Sequence, residues 1–248
     1  MKKIFKNTLL YAASILLVSN FAFAETSKEI SESEIKNLSE KINVQFKKDD
    51  EKYVFLKEEN KDVKYEIVYF FSYACPFCYH FDPLFEEWSK NAQSDTSIIK
   101  VPATFQDGWD VLANAYTIKE KLKLDKDFDE NIFKAIHEKK YDLKQFDALR
   151  SYFINNYKID YLTFNKEYNS FSSANKKAQY DKWADDLLIE GTPTILVITN
   201  DGTVYRTSPG ITGDDLSTIV SLEYILRMER QKESIENSKD EKEKPVLQ

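Results

Sequence analysis

Residues 65–81 read Tyr65-Glu66-Ile67-Val68-Tyr69-Phe70-Phe71-Ser72-Tyr73-Ala74-Cys75-Pro76-Phe77-Cys78-Tyr79-His80-Phe81. The first part is apolar almost without interruption, the pattern of a central strand covered on both faces. A dithiol comes directly after it, at the start of a predicted helix. A thiolate in a first helical turn is stabilised by unsatisfied backbone N–H groups and by the positive end of the helix dipole, so its pKa falls. Cys75 is therefore the expected nucleophile. Cys78, one turn later on the same face, is placed to close a disulfide with it or to resolve a mixed disulfide.

The chain has no other cysteine. A purely structural staple is the plain alternative, but closing a loop with only two intervening residues removes little unfolded-state entropy. A metal site would need two further ligands. The rest of the chain offers His80, His137 and carboxylates, with no second pair at zinc spacing, so no metal and no cofactor is expected.

The N-terminus predicts export. Lys2, Lys3 and Lys6 form a basic start, Leu9 to Val18 is apolar, and Ala22-Phe23-Ala24 fits a small-x-small cleavage site, so cleavage is expected after Ala24. An uncleaved anchor is the competing possibility, but the apolar stretch is short and carries Ser14, Ser19 and Asn20. The expected location is thus a compartment where disulfides persist, with no membrane span left after cleavage.

Losing residues 1–24 would remove three lysines and no acids, moving the formal charge from −7 to −10. That balance argues against a nucleic-acid partner and for solubility. With 42% apolar and 14% aromatic residues over its full length, the chain can fill a sizeable core.

Periodicity sets the organisation. Ile35, Leu38 and Ile42 predict an N-terminal helix, and Tyr53-Val54-Phe55-Leu56 a strand. Glu66 to Phe71 and Ser97 to Val101 read as two more strands. From Asp107 to Leu188 the pattern is helical, with Val111, Leu112, Ala115 and Ile118, then Phe128, Ile132, Phe133 and Ile136, then Leu149, Tyr152 and Phe153 as apolar stripes. Gly191 reads as a helix C′ residue. Thr194 to Ile198, Asn200-Asp201-Gly202 and Thr203 to Arg206 predict a hairpin, and a helix should follow Asp214 and Asp215. The expected divisions are a signal peptide at 1–24, a helical extension at 25–44, a first α/β part at 45–106, a helical subdomain at 107–188, a second α/β part at 189–230, and a charged, disordered tail at 231–248.

Strand, C-x-x-C helix, strand, helical insert, hairpin and closing helix resemble a thioredoxin-like α/β fold with an inserted all-helical subdomain. The run from Phe70 to Phe81, together with Gly191-Thr192-Pro193, resembles the DsbA family of periplasmic thiol-disulfide oxidases. That resemblance covers roughly residues 45–230. It implies that Cys75 attacks, that Cys78 is the buried resolving cysteine, and that the two form a redox-active disulfide. It makes Pro76 and Phe77 supports of the active site, with Thr192 and a cis Pro193 facing the dithiol. Tyr73, Phe77 and Thr192 would contact unfolded substrate chains, although an ordinary trans Pro193 and merely exposed aromatics are the simpler readings. It also implies reduced exported proteins as substrates and a DsbB-like, quinone-linked membrane partner.

Four departures from the family pattern stand out. Phe77 occupies a position where many members have histidine, so Cys75 should depend more on the helix start. Tyr69 stands where many members place a buried acid, and Glu66 should face the other side of the strand. Asp82 matches an acidic family position but reads more simply as an exposed helix carboxylate. Thr192 is a residue type found in isomerases and reductases of the superfamily, while Pro83 matches a helix-kinking proline of thioredoxins. The expected activity is disulfide donation to exported proteins. The alternatives are an isomerase or reductase kept reduced in the cell, and a chaperone-like binder of unfolded chains.

Overall fold

A computed structural model describes residues 62–125 and 127–243, with side chains described to residue 235. The expected signal peptide, the helix at 26–42 and the strand at 53–56 lie outside the described residues. No helix among the described residues is long and apolar enough to cross a membrane.

The fold is a thioredoxin-like mixed sheet with an all-helical insert. Four strands, β1 (Tyr65–Phe71), β2 (Thr96–Pro102), β3 (Thr194–Thr199) and β4 (Val204–Thr207), lie in the order β2-β1-β3-β4. Strand β1 pairs parallel with β2 and antiparallel with β3, and β4 extends the sheet as a hairpin with β3. Every residue of β1 is buried, which is why its sequence is nearly continuous in apolar character. Glu66 is the exception in kind. It is fully buried and accepts a hydrogen bond from Ser97 Oγ at 3.4 Å.

Helix α1 (Pro76–Ser89) connects β1 to β2. Pro76 occupies its first turn, where no backbone donor is needed, and Pro83 lies inside it. Cys78, Phe81, Asp82, Phe85 and Trp88 form its buried stripe. Tyr69 of β1 packs its ring against Phe81 at 5.5 Å and Phe85 at 4.6 Å. Each such buried phenylalanine contributes about 1.5–3 kcal/mol over exposure, so this contact locks the helix onto the sheet.

Five helices form the insert between β2 and β3: α2 (Trp109–Leu122), α3 (Phe128–His137), α4 (Phe146–Tyr157), α5 (Tyr161–Tyr168) and α6 (Phe171–Asp186). The expected stripes are buried at Leu112, Ala115, Ile118, Phe128, Ile132, Phe133, Leu149, Tyr152 and Phe153, while Val111 and Ile136 are half-buried at their edges. Phe153 joins Phe128 and Phe164 at 5.3 and 5.1 Å, tying three helices together.

Two local expectations are corrected. Gly191 does not end a helix: α6 stops at Asp186, and the left-handed residue after it is Leu188, with φ 50°. The charged tail expected from residue 231 is instead helical in its described part, because the last helix, α8, spans Asp215–Glu243. Lys64 pairs with Glu233 at 2.7 Å, anchoring that helix beyond residue 230 to the start of β1. A short helix, α7 (Pro209–Thr212), precedes it and carries no apolar period by which the sequence would announce it. The hairpin turn places Gly202 at φ 84°, where a side chain would be strained.

Candidate active site

Cys75 caps the start of α1 in an extended conformation, φ −79° and ψ 117°, without a side-chain cap of its own. Its backbone N–H donates to the Ser72 carbonyl at 3.0 Å, and its carbonyl accepts from Tyr79 N–H at 3.1 Å. These bonds fix the turn between β1 and α1, so the first cysteine sits over the free N–H groups of the helix. Both cysteines are free thiols, 5% and 0% exposed.

The environment separates the two sulfurs chemically. The Cys75 pKa is lowered from 9.0 to about 6, chiefly by the hydrogen bond from the Cys78 thiol. Burial opposes that shift, while Thr192 and the backbone N–H groups of Cys78 and Phe77 add to it. Cys78 is pushed the other way by its burial and then by the neighbouring Cys75 sulfur. One thiol is thus ready to ionise near neutrality while the other holds its proton.

The Thr192-Pro193 peptide bond is cis, and this segment faces the dithiol: Cys75 Sγ donates to the Thr192 carbonyl at 3.3 Å. The Thr192 hydroxyl, buried with no other hydrogen-bond partner, is the group of that residue that favours the Cys75 thiolate. Phe77 points outward, 67% exposed.

Tyr73 does not do what its sequence position suggests. It is 1% exposed and its hydroxyl donates to Asp129 of α3, so it has no surface to offer a substrate chain. Asp82 is corrected in the opposite sense, from exposed carboxylate to one of the buried charges, at 4%. It pairs with Lys100 of β2 at 2.7 Å, and Lys100 also reaches Glu86 at 2.8 Å and Asp129 at 3.2 Å. Burial lifts the Asp82 pKa to about 6 against the pull of Lys100. Burial also opposes the charge on Asp129, but Lys100 and Lys119 outweigh it and hold that carboxyl below the usual range. The Tyr69 hydroxyl, in the same layer, is buried without a hydrogen-bond partner. Its pKa is pushed well up, first by burial and then by the nearby Cys78 and Asp82. The buried acid on the Cys78 face of the helix is therefore Asp82, not residue 69.

Asp129, Lys100 and Lys119 escape sequence reasoning because they come from α3, β2 and α2, and nothing local marks a charged residue as buried. Among the described residues, no group of three His, Cys, Asp or Glu is placed to hold a metal ion.

A dithiol at a helix start, opposite a cis-proline, on a thioredoxin-like sheet with a helical insert defines a thiol:disulfide oxidoreductase. The chain is 30% identical over 169 residues to the thiol:disulfide interchange protein DsbA of Burkholderia cepacia, spanning 68% of this chain and 77% of that protein. It is 28% identical over 167 residues to DsbA of Pseudomonas aeruginosa, spanning 67% and 77%. The crystal structure of Pseudomonas aeruginosa DsbA superposes with a TM-score of 0.67 at 26% identity, covering 77% of this chain and 93% of that one. DsbA from Xylella fastidiosa gives 0.60 at 29%, covering 68% and 87%. No protein-family model matches the chain. The chain belongs to the DsbA family of thiol:disulfide oxidoreductases.

Proposed function

We propose that the Cys75/Cys78 pair works as a disulfide donor to exported proteins. The observation that carries this reading is geometric: Cys75 stands at the start of α1 over the free N–H groups of the helix, with its sulfur 3.3 Å from the Thr192 carbonyl of the cis Thr192-Pro193 segment, a setting in which its pKa is lowered to about 6. Stabilising that thiolate favours the reduced enzyme, which makes the disulfide form the better oxidant. In the forward reaction a substrate thiolate attacks Cys75 of the disulfide, the Cys75–Cys78 bond breaks, and Cys78 leaves as a thiolate and takes up a proton. The substrate's second thiolate then attacks the substrate sulfur of the mixed disulfide, and Cys75 leaves as the stabilised thiolate.

Phe77, exposed beside the dithiol, and the Thr192-Pro193 segment form the surface on which we place the substrate chain. The export pattern of residues 1–24 and the periplasmic setting of the family support a periplasmic location, with cleavage after Ala24. Reoxidation falls to a DsbB-like, quinone-linked membrane protein by family analogy.

Replacing Cys78 with Ala removes the internal route for releasing substrate from Cys75. Oxidised with a small-molecule disulfide and mixed with an unfolded protein that carries a single cysteine, Cys78→Ala should accumulate the mixed disulfide through Cys75, since neither Cys78 nor a second substrate thiol is there to release it. If none accumulate, the assignment of Cys75 as the attacked sulfur is wrong. Acid-quenched alkylation in intact cells reads the direction: a mostly disulfide pair supports the oxidase, a mostly thiol pair an isomerase or reductase.

A further inference from the structure

Helix α3 belongs to the insert, yet it holds the chain on both sides of the dithiol. Before Cys75, Tyr73 is gripped at two points: its hydroxyl donates to Asp129, and its carbonyl lies 2.8 Å from His137 Nε2. A carbonyl only accepts, so Nε2 carries the proton. After Cys78, the Tyr79 ring stacks on His137, with centroids 4.9 Å apart and planes 14° from parallel. The Tyr79 hydroxyl donates to Glu138, the residue after the helix, at 2.6 Å. Asp129 is itself held by Lys119 and by Lys100, which ties it to Asp82 of α1.

We propose that Asp129 and His137 are positioning residues of the redox centre, bracing Tyr73 and Tyr79 so that the Cys75 sulfur stays aligned with the helix N–H groups and the Cys78 thiol. The inference rests on the reading of Cys75 as the reactive thiolate. Its physical basis is distance. Hydrogen bonds to sulfur from a helix start weaken steeply with misalignment, and Tyr73 is two residues from Cys75, so any slack in its grip passes directly to the sulfur. The insert thereby becomes part of the device that tunes the thiolate. Of the titratable groups packed about this turn, Cys78 and Tyr69 interact with Cys75 itself; Asp82, Glu86, Lys100 and Asp129 form the charge layer beside Tyr69 and Tyr73, His80 lies near His137, and Asp215 of α8 lies near His80.

Three substitutions in the full-length protein separate bracing from bulk stability. Tyr73→Phe removes one hydroxyl, Asp129→Asn keeps size and removes charge, and His137→Phe keeps a ring on Tyr79 and removes the donor. For each reduced protein, the rate of Cys75 alkylation is measured from pH 4 to pH 9 beside the unfolding temperature. Bracing predicts that the profile moves to higher pH: alkylation at pH 5 slows about tenfold, while at pH 9, where the thiolate is formed anyway, it stays near wild type. Tyr73→Phe and Asp129→Asn combined should slow it no more than either alone. Unchanged profiles in all three variants, whatever happens to the unfolding temperature, overturn the brace, as does full additivity of the pair. If wild-type Cys75 shows no rise in reactivity near pH 6, it is the thiolate reading that fails, and the brace falls with it.

Discussion

At Cys75 the sulfur draws its stabilisation from groups the chain supplies locally: the Cys78 thiol, the N–H groups of Phe77 and Cys78, and one distant residue, Thr192. Beyond its backbone N–H, Phe77 adds nothing to that set, since a phenyl ring neither hydrogen-bonds nor carries charge. Phe77→His should place a partly protonated imidazole beside the thiolate, stabilise it further and make the disulfide more oxidising. A shift of about tenfold in the equilibrium with glutathione corresponds to about 30 mV, and an unchanged equilibrium would remove residue 77 from the list of groups that set the potential. The residue scale is also where sequence reasoning failed most clearly. Tyr73 and Asp82 carry polar atoms that look at home in water, and only their partners, Asp129 and Lys100, let them be buried.

Among the elements, β1 and α1 were legible because each obeys one rule over its whole length. Burial on both faces demands continuous apolar residues in β1, and one buried stripe demands the spacing of Cys78, Phe81, Phe85 and Trp88 in α1. The β3–β4 hairpin was legible from Asp201-Gly202, whose turn conformation glycine tolerates. The charge layer between β2, α1 and α3 was not, because its members are scattered along the chain. Lys100 is its hub. Burial opposes the charge on this lysine, yet Asp129, Asp82 and Glu86 outweigh that cost and push its pKa well up, so it stays charged. Lys100→Met would leave Asp82 and Asp129 without it, and removing one partner of a buried ion cluster costs about 3–5 kcal/mol. Urea unfolding at pH 7 should show that loss. A Lys100→Met protein as stable as wild type would mean that water reaches these carboxylates.

For the whole molecule, the thiolate links redox state to stability. The folded Cys75 pKa, about 6, lies below the ordinary thiol value of 9.0. A depressed pKa adds stability that is complete above the unfolded value and is lost as pH falls through the folded one. This applies only to the reduced protein, since the disulfide has no thiol to titrate. The stability of the reduced form relative to the oxidised form should therefore decline between pH 9 and pH 6 and level off below that. Urea unfolding of both forms at pH 5, 7 and 9 measures it, and a difference independent of pH would show that Cys75 titrates alike in the folded and unfolded chains.

The amino-acid sequence by itself determined the thioredoxin-like α/β class, the helical insert, the dithiol and its later proline. The strands, helices and turns are written in short-range patterns that a few neighbouring residues suffice to specify, and the thioredoxin-like class and the place of Pro193 follow from the resemblance of their order and motifs to the DsbA family. Only the tertiary structure decided that Tyr73 faces inward to Asp129 and His137, that Asp82 lies buried on Lys100, and that α3 of the insert grips the chain on either side of Cys75-Pro76-Phe77-Cys78. The reason is physical. A charge or hydroxyl is stable in the interior only when a partner arrives from elsewhere in the chain, and that arrival is a property of the assembled fold, not of any segment of the sequence.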